Sequence, residues 1–258
     1  MSSFAFDPLA GGYDASFTES AVGRALRGIV WARLQETFGS CRTVLELGCG
    51  TGEDAIWLAR QGVEVLAADA SAGMIQVARG KAASAGCADR IEFRCALMEN
   101  LSVELDGRSF DGVLSDFGAV NCVRDLSALA AGVSALVRPG GRLLWVIMGR
   151  YVPWEWLWYL AHGEWRQAWR RTRHGGVSWR GIRVFYPTPR EAVGHLRPWY
   201  RIDRLTPLGL ALPPSYAAAW LERSATALAM LEALEALGRR WGALAWLSDH
   251  YVIEATRL

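Results

Sequence analysis

The chain has 258 residues, 52% of them hydrophobic and 21% charged, with a formal net charge of +2. That length and balance suit one globular α/β domain with additions and a substantial buried core. The near-neutral charge gives no bulk electrostatic pull toward nucleic acid or an anionic membrane, and no stretch approaches the roughly 18 uninterrupted apolar residues of a spanning helix.

Residues 1–42 read as mainly helical, forming an N-terminal cap. The opening MSSFAFDPLAGGYDASF has no basic start followed by an apolar run, so no signal peptide is expected. The five cysteines, Cys41, Cys49, Cys87, Cys95 and Cys122, form no C-x-x-C pair. Reduced thiols in a cytoplasmic protein are the expectation, with no disulfide frame and no metal site.

From Thr43 to Met148 strands and helices alternate. TVLELG is a short apolar strand ending in glycine. EDAIWLARQG has helical spacing and stops at Gly62, a C-cap. VEVLAADA is a second buried strand. SAGMIQVARGKAASAG is a second helix with Ser71 placed to cap it. IEFRCA is a third strand. FDGVLSDFG is a fourth, followed by a helix near Ser127–Val137. RPGG is a turn before RLLWVIM, a fifth strand. Strands separated by helices predict βαβ units and a parallel sheet covered on both faces.

Residues 149–180 interrupt this pattern and hold six of the chain's thirteen tryptophans. IRVFYPTPREAVGHL then reads as a strand, a turn and a short helix. YRIDRLTPLGL is a strand. Residues 214–247 form one or two Ala- and Leu-rich helices. Trp220, Leu221, Leu228, Leu231, Leu234 and Leu237 fall roughly on one side of them, as core or as a dimer face. DHYVIEATRL is a final strand. One domain with a lid-like insertion is the economical organisation: a cap over 1–42, a binding core over 43–148, a Trp-rich lid over 149–180 and the rest of the sheet over 181–258.

The loop ELGCGTGED follows a strand and opens a helix, so its glycines let a ligand approach the backbone closely. Its spacing is G-x-G-x-G (Gly48, Gly50, Gly52), not the dinucleotide G-x-G-x-x-G, and no Lys-Ser/Thr follows. Glu53 and Asp54 at the helix entrance would repel a pyrophosphate, and with Glu46 they suit a ligand carrying cationic groups. Asp69 ends the second strand, twenty-one residues after Gly48, where an acid accepts from ribose hydroxyls. The pattern asks for an unphosphorylated, cationic nucleoside.

The segment resembles class I S-adenosylmethionine (SAM) dependent methyltransferases. VLELGCGTG looks like their first motif, VLAADAS with Met74 their second-strand motif, FDGVLSDFGAVN the fourth-strand motif and LVRPGGRLL the fifth. The ordered set covers about residues 13–148. The resemblance implies an α/β, Rossmann-like seven-stranded sheet, mostly parallel with an antiparallel last strand and helices on both faces, plus a helical cap insertion. It implies SAM as cofactor and S-adenosylhomocysteine as product. Backbone groups of Gly48, Cys49 and Gly50, with Glu46 nearby, would hold the methionine part. Asp69 would take the ribose, with Ala70 and Met74 against adenine. Ser115 and Phe117 would line the floor near the sulfonium, and Tyr13 would close over the cofactor. One element departs: where many members place an Asp after the third strand, this chain has Leu97. Adenine recognition would then rest on the Met98 backbone and apolar packing, at a loss of about 0.5–1.5 kcal/mol.

Methyl transfer is a displacement at a sulfonium, and alignment supplies much of the catalysis. An amine acceptor must be unprotonated and a hydroxyl usually needs a base. His162 and His174 are the histidine candidates because they sit in the insertion, with Tyr13 as a further catalytic candidate. Asn121, Tyr151, Trp154, Trp158 and Arg166 are candidates for the acceptor site. In the insertion, Trp154, Trp158, Trp165 and Trp169 recur at helical intervals among Arg166, Arg170, Arg171 and Arg173. That pattern fits a packed amphipathic helix, or a wall for a flat apolar or aromatic acceptor with arginines for an acidic group. Weak contact with a membrane surface is a third reading. A nucleic-acid partner is not expected, because the rest of the chain is not basic.

The expectation is a methyltransferase of a bulky, partly apolar small molecule, working as monomer or homodimer by O- or N-methylation. A lyase or cyclase on the same scaffold, a C-methyltransferase, and a non-catalytic binding module are the alternatives.

Overall fold

The computed structural model describes residues 6–173, 175–214, 216 and 218–258. Helix α1 (Ala21–Phe38) opens the regular structure, capped by the Ser20 hydroxyl, which accepts from Gly23 N at 2.9 Å. Five strands separated by four helices come next: β1 (Thr43–Leu47), α2 (Glu53–Arg60), β2 (Glu64–Asp69), α3 (Ala72–Ser84), β3 (Ile91–Cys95), the single turn α4 (Leu101–Glu104), β4 (Phe110–Ser115), α5 (Leu126–Leu136) and β5 (Val137–Met148). Ser71 caps α3 by accepting from Met74 N at 3.1 Å. Gly62 ends the α2 segment at φ +91°, a value costly for any residue with a Cβ.

The lid is built from α6 (Pro153–Ala161), α7 (Trp165–Ala168) and a ribbon of β6 (Val177–Trp179) and β7 (Ile182–Val184). The chain then returns through α8 (Pro189–Leu196), β8 (Tyr200–Leu208), α9 (Ala225–Gly238) and β9 (His250–Arg257). The seven-stranded sheet runs β3-β2-β1-β4-β5-β9-β8. Its first five strands are parallel, and β9 is antiparallel to both β5 and β8. The strand expected over IRVFYP departs from this sheet. Its Ile182–Val184 portion pairs only with Val177–Trp179, in an antiparallel two-stranded ribbon beside the sheet.

Both sheet faces are covered, which is why residues 44–47 of β1, 112–115 of β4 and 143–147 of β5 are continuously buried. One core packs Leu26, Val30 and Phe38 of α1 and Leu58 of α2 against Val44, Leu114 and Val252. The other packs Leu129, Val133 and Leu136 of α5 and Leu196 of α8 against Leu45, Val113, Trp145 and Ile253. Along 214–247, Leu221 is buried and Leu228 and Leu231 pack on the first core, while Trp220, Leu234 and Leu237 are exposed. No described helix is long and apolar enough to cross a membrane.

The strand order reverses at β1, whose neighbours β2 and β4 lie on opposite sides. In open α/β sheets a crevice forms at the carboxyl ends of strands where the order switches. The loops after β1, β2 and β4 meet there.

Candidate cofactor and acceptor site

The turn after β1 holds Gly48 at φ +72° and Gly50 at φ +51°. A Cβ on Gly48 would lie 2.3 Å from Ala119 Cβ, so glycine alone lets the β1 and β4 loops touch. Nothing lies within 4 Å of a Cβ built on Gly50, because that side faces open space. The loop is pinned from the neighbouring strand. Gly48 N and Cys49 N donate to Ala68 O at 2.8 and 3.0 Å, and Gly50 N donates to Asp69 Oδ2 at 2.9 Å. Asp69 Oδ1 accepts from Ser71 N at 2.8 Å. Each carboxylate oxygen keeps a further lone pair for a ligand.

Beside this loop lies a buried charge cluster. Glu46, at the end of β1, is 1% exposed, and Asp116, after β4, is 7% exposed. Asp116 Oδ1 accepts from Phe117 N at 2.7 Å, whereas Asp116 Oδ2 and Glu46 Oε2 have no hydrogen-bond partner. Burial, reinforced by the nearby Asp54 charge, pushes both carboxyls well above the usual carboxylate range. Arg27, buried on α1, donates to Asp54 Oδ2 at 2.6 Å and lies over the Phe117 ring at 4.8 Å. Trp31 Nε1 donates to the other Asp54 oxygen at 2.7 Å.

Asp54 is therefore held by α1. Glu53 is likewise held by Lys81. Both carboxylates at the helix entrance look from sequence like ligand acids. Both do line the cavity, and long cationic side chains from α1 and α3 reach them there. Lys81 also pairs with Asp14 at 2.7 Å, and Asp14 Oδ1 accepts from Thr51 Oγ1 at 2.7 Å. Asp7 accepts from Gly73 N at 3.0 Å. These bonds draw the N-terminal segment across the glycine loop and set Tyr13 in the cavity wall.

The cavity measures about 680 Å³. It brings together Tyr13, Glu46, Gly48, Cys49, Gly50, Asp69, Ala70, Met74, Leu97, Met98 and Phe117. Ser115 is not on its wall: it is fully buried and donates to Leu47 O at 2.9 Å, tying β4 to β1. Asn121 is also turned inward. Its Nδ2 donates to Phe185 O at 2.7 Å and Met148 O at 3.2 Å, and its Oδ1 accepts from Met148 N at 2.9 Å.

The lid presents a different face from the one its tryptophans suggested. Tyr159, Gln167, Arg170 and Arg171 line the cavity, with Val177, Trp179 and Ile182 of the ribbon, Tyr186 and Tyr216. Trp154 donates to Ala211 O at 3.0 Å, and Trp158 packs on His162, ring centroids 4.3 Å apart. Tyr151 packs edge-on against Trp156. Arg166 is exposed over Trp165. His162 is exposed, with Nδ1 2.7 Å from Trp158 O. His174 lies outside the described residues. The sequence did carry a signal for the inward face: Glu155 and Tyr159 share one side of α6, and Glu155 meets Arg170 and Arg171 at 2.9 and 2.7 Å. Phe6 and Trp179, 5.3 Å between centroids, bring the N-terminal segment and the ribbon together at the cavity rim.

Among the described residues no histidine lines this cavity. His250 stands behind it, edge-on to Phe117 at 5.7 Å, with Nδ1 3.0 Å from Asp249 Oδ2. Burial pushes the Tyr13 phenol up to about 12, and Tyr186 and Tyr216 are also raised by burial. That direction favours the protonated phenols, which can donate hydrogen bonds into the cavity.

The sequence model of a family described as "Methyltransferase domain" matches residues 44–141, the glycine loop and its neighbouring strands. Residues 44–141 are thus similar to methyltransferase domains, as the resemblance of the glycine loop and its neighbouring strands to class I SAM-dependent enzymes implies. It is 34% identical over 140 residues to a demethylmenaquinone methyltransferase of Clavibacter sepedonicus, covering 54% of each chain. It is 36% identical over 107 residues to a ubiquinone biosynthesis O-methyltransferase of Sinorhizobium medicae, covering 42% of this chain and 41% of that one. The chain thus spans about half the length of the curated relatives it matches. The fold is shared with a SAM-dependent methyltransferase structure from Mesorhizobium loti, at TM-score 0.58 and 22% identity, over 93% of this chain and 99% of that one.

The residues present fit the family's cofactor. Glu46 and Asp116, which line the cavity, each keep a buried carboxylate oxygen without a partner, as would suit a ligand whose methionine half carries a net positive charge, and Gly50 leaves its side of the loop open. Asp69 stands at the second strand's end, and Met74, Met98 and Leu97 offer an apolar slot beside it.

Proposed function

We propose that this methyltransferase transfers the methyl group of SAM to a small, flat, largely apolar molecule through an oxygen or nitrogen nucleophile. The observation that carries the acceptor class is the lid half of the cavity, an aromatic chamber of Tyr159, Trp179, Tyr186 and Tyr216 with Arg170 on its wall. When bound, SAM supplies a methyl carried on a positively charged sulfur. Glu46, Asp116 and the loop backbone hold its methionine half, Asp69 accepts from the ribose, and Ala70 and Met74 pack on adenine. Phe117 would lie near the reacting end, and Tyr13 and the ribbon would exclude water.

With no histidine on the described wall, catalysis rests on alignment. The acceptor must then bring its own available nucleophile: a neutral amine, or an acidic phenol or enol whose ionised form Arg170 favours. The similarity to a ubiquinone biosynthesis O-methyltransferase supports the phenolic choice.

Incubation with SAM and a panel of hydroquinones, phenols and aromatic amines tests this by mass spectrometry. The expected outcome is S-adenosylhomocysteine with a product one CH₂ unit heavier. S-adenosylhomocysteine formed without that mass gain overturns it. Arg170→Gln with Tyr186→Leu is expected to raise acceptor KM about tenfold or more while SAM affinity stays within twofold, about 1 kcal/mol per lost polar contact.

A membrane source for an apolar acceptor is favoured by one further observation. Leu157, Leu160, Trp165 and Trp169 are exposed on the lid, Trp165 to 61%, beside the exposed Arg166 and Arg173. Tryptophans with arginines suit a lipid interface. Co-sedimentation with phosphatidylglycerol vesicles is expected for this chain and reduced for Trp165→Ser/Trp169→Ser; equal sedimentation of both excludes the lid as the contact.

A further inference from the structure

We infer that Glu46 and Asp116 form a two-carboxyl selectivity site for the cationic half of the cofactor, filled by exchange, in which protons held there in the free protein leave as the ligand's cations arrive. The inference rests on the reading that this cavity binds SAM.

Glu46 Oε2 and Asp116 Oδ2 are buried on the cavity wall and accept no hydrogen bond. Asp54, whose charge acts on both, is held by Arg27 and Trp31. The titratable groups that act on the pair are Tyr13 from the N-terminal segment, Arg27 from α1, Cys49 from the loop, Asp54 from α2 and Asp69 from β2. Beyond them, Lys81 pairs with Glu53 and Asp14. Within the cluster itself three carboxyls, Glu46, Asp54 and Asp116, share the single guanidinium of Arg27. Full ionisation would leave two uncompensated negative charges out of water, which burial strongly opposes. The free protein therefore keeps protons on Glu46 and Asp116, and burial raises both carboxyls, as Asp54 does further.

SAM carries an ammonium, a carboxylate and a sulfonium in its methionine half, a net single positive charge. S-adenosylhomocysteine keeps the ammonium and the carboxylate and has a neutral sulfur, so its net charge is zero. The extra positive charge of SAM matches one more of the charges the cluster exposes on losing its protons; without it a proton is taken back. The same pair of residues thus favours the substrate form of the cofactor over its product. Raising pH makes the protons easier to displace, so SAM affinity rises with pH, and more steeply than S-adenosylhomocysteine affinity.

Titration calorimetry in two buffers of different ionisation enthalpy reads the protons directly. At about pH 7, SAM is expected to release about one proton or more per site, and S-adenosylhomocysteine about one fewer. Asp116→Asn and Glu46→Gln should each lower SAM release by about one proton and weaken SAM about tenfold, narrowing its preference over the product. Because the native carboxyls are already protonated when free, both variants should melt no lower than the native chain in the absence of ligand. SAM binding with buffer-independent heats between about pH 6 and about pH 8.5 overturns the inference while leaving the cofactor reading intact. Unchanged selectivity in both variants overturns it equally. Absence of any SAM binding overturns the cofactor reading itself.

Discussion

Arg171→Met should destabilise the fold by about 3–5 kcal/mol, the range seen when one partner of a buried ion pair is removed. Arg171 is buried between the lid and the start of β9. Its Nη2 lies 2.7 Å from Glu155 Oε2 and 2.8 Å from Asp249 Oδ1. Its Nη1 donates to Gly149 O and Asp249 O, both at 3.2 Å, and the guanidinium lies over the Tyr186 ring at 5.2 Å. Methionine would fill the volume but leave Glu155 to Arg170 alone and Asp249 to His250 alone. Gly149 O would also lose this donor, whereas Asp249 O keeps Gly149 N at 2.8 Å. Urea denaturation followed by tryptophan fluorescence reads the loss, and a change below about 1 kcal/mol would show that the network carries little of the lid's attachment.

The pH dependence of stability reports on the same residue. The Arg171 charge beside Asp249 holds that carboxyl well below its usual range, against the opposing effect of burial. A depressed folded value contributes stability above the unfolded value, about 3.9, and loses it as pH falls toward the folded one. The native chain should therefore lose stability on acidification below about pH 4 more steeply than Arg171→Met.

The binding core was legible because its signals are local. A strand, a glycine turn and a capped helix sit within a few residues of one another, and Asp69 is placed by the next strand's end. The lid was not legible in the same way. Helix α6 carries Trp154, Trp156, Leu157, Trp158 and Leu160, apolar on nearly all sides, so periodicity cannot say which side turns inward. What orients it is Glu155 meeting Arg171 and, through it, Asp249, a contact between distant segments. The same reason misled at Ser115 and Asn121. A polar residue near a strand end looks like a ligand group, yet here each satisfies buried backbone carbonyls. Asp54 lines the cavity, but nothing in its sequence neighbourhood reveals that Arg27 also folds back onto it.

Asp69→Ala should weaken SAM binding by about 1–3 kcal/mol, the loss of a charged acceptor from a desolvated site. The carboxylate has two tasks that the experiment must separate. It accepts from Gly50 N and Ser71 N, so it shapes the loop, and its remaining lone pairs face the cavity. A cycle with a deoxyribose analogue of SAM divides them. The native chain should bind SAM more tightly than the analogue, because only SAM offers both ribose hydroxyls to the carboxylate. In Asp69→Ala that preference should vanish, whereas any loss from a loosened loop falls on both ligands alike. Equal discrimination in the two proteins would show that Asp69 acts only on the loop, and the ribose contact would have to be sought elsewhere on the wall.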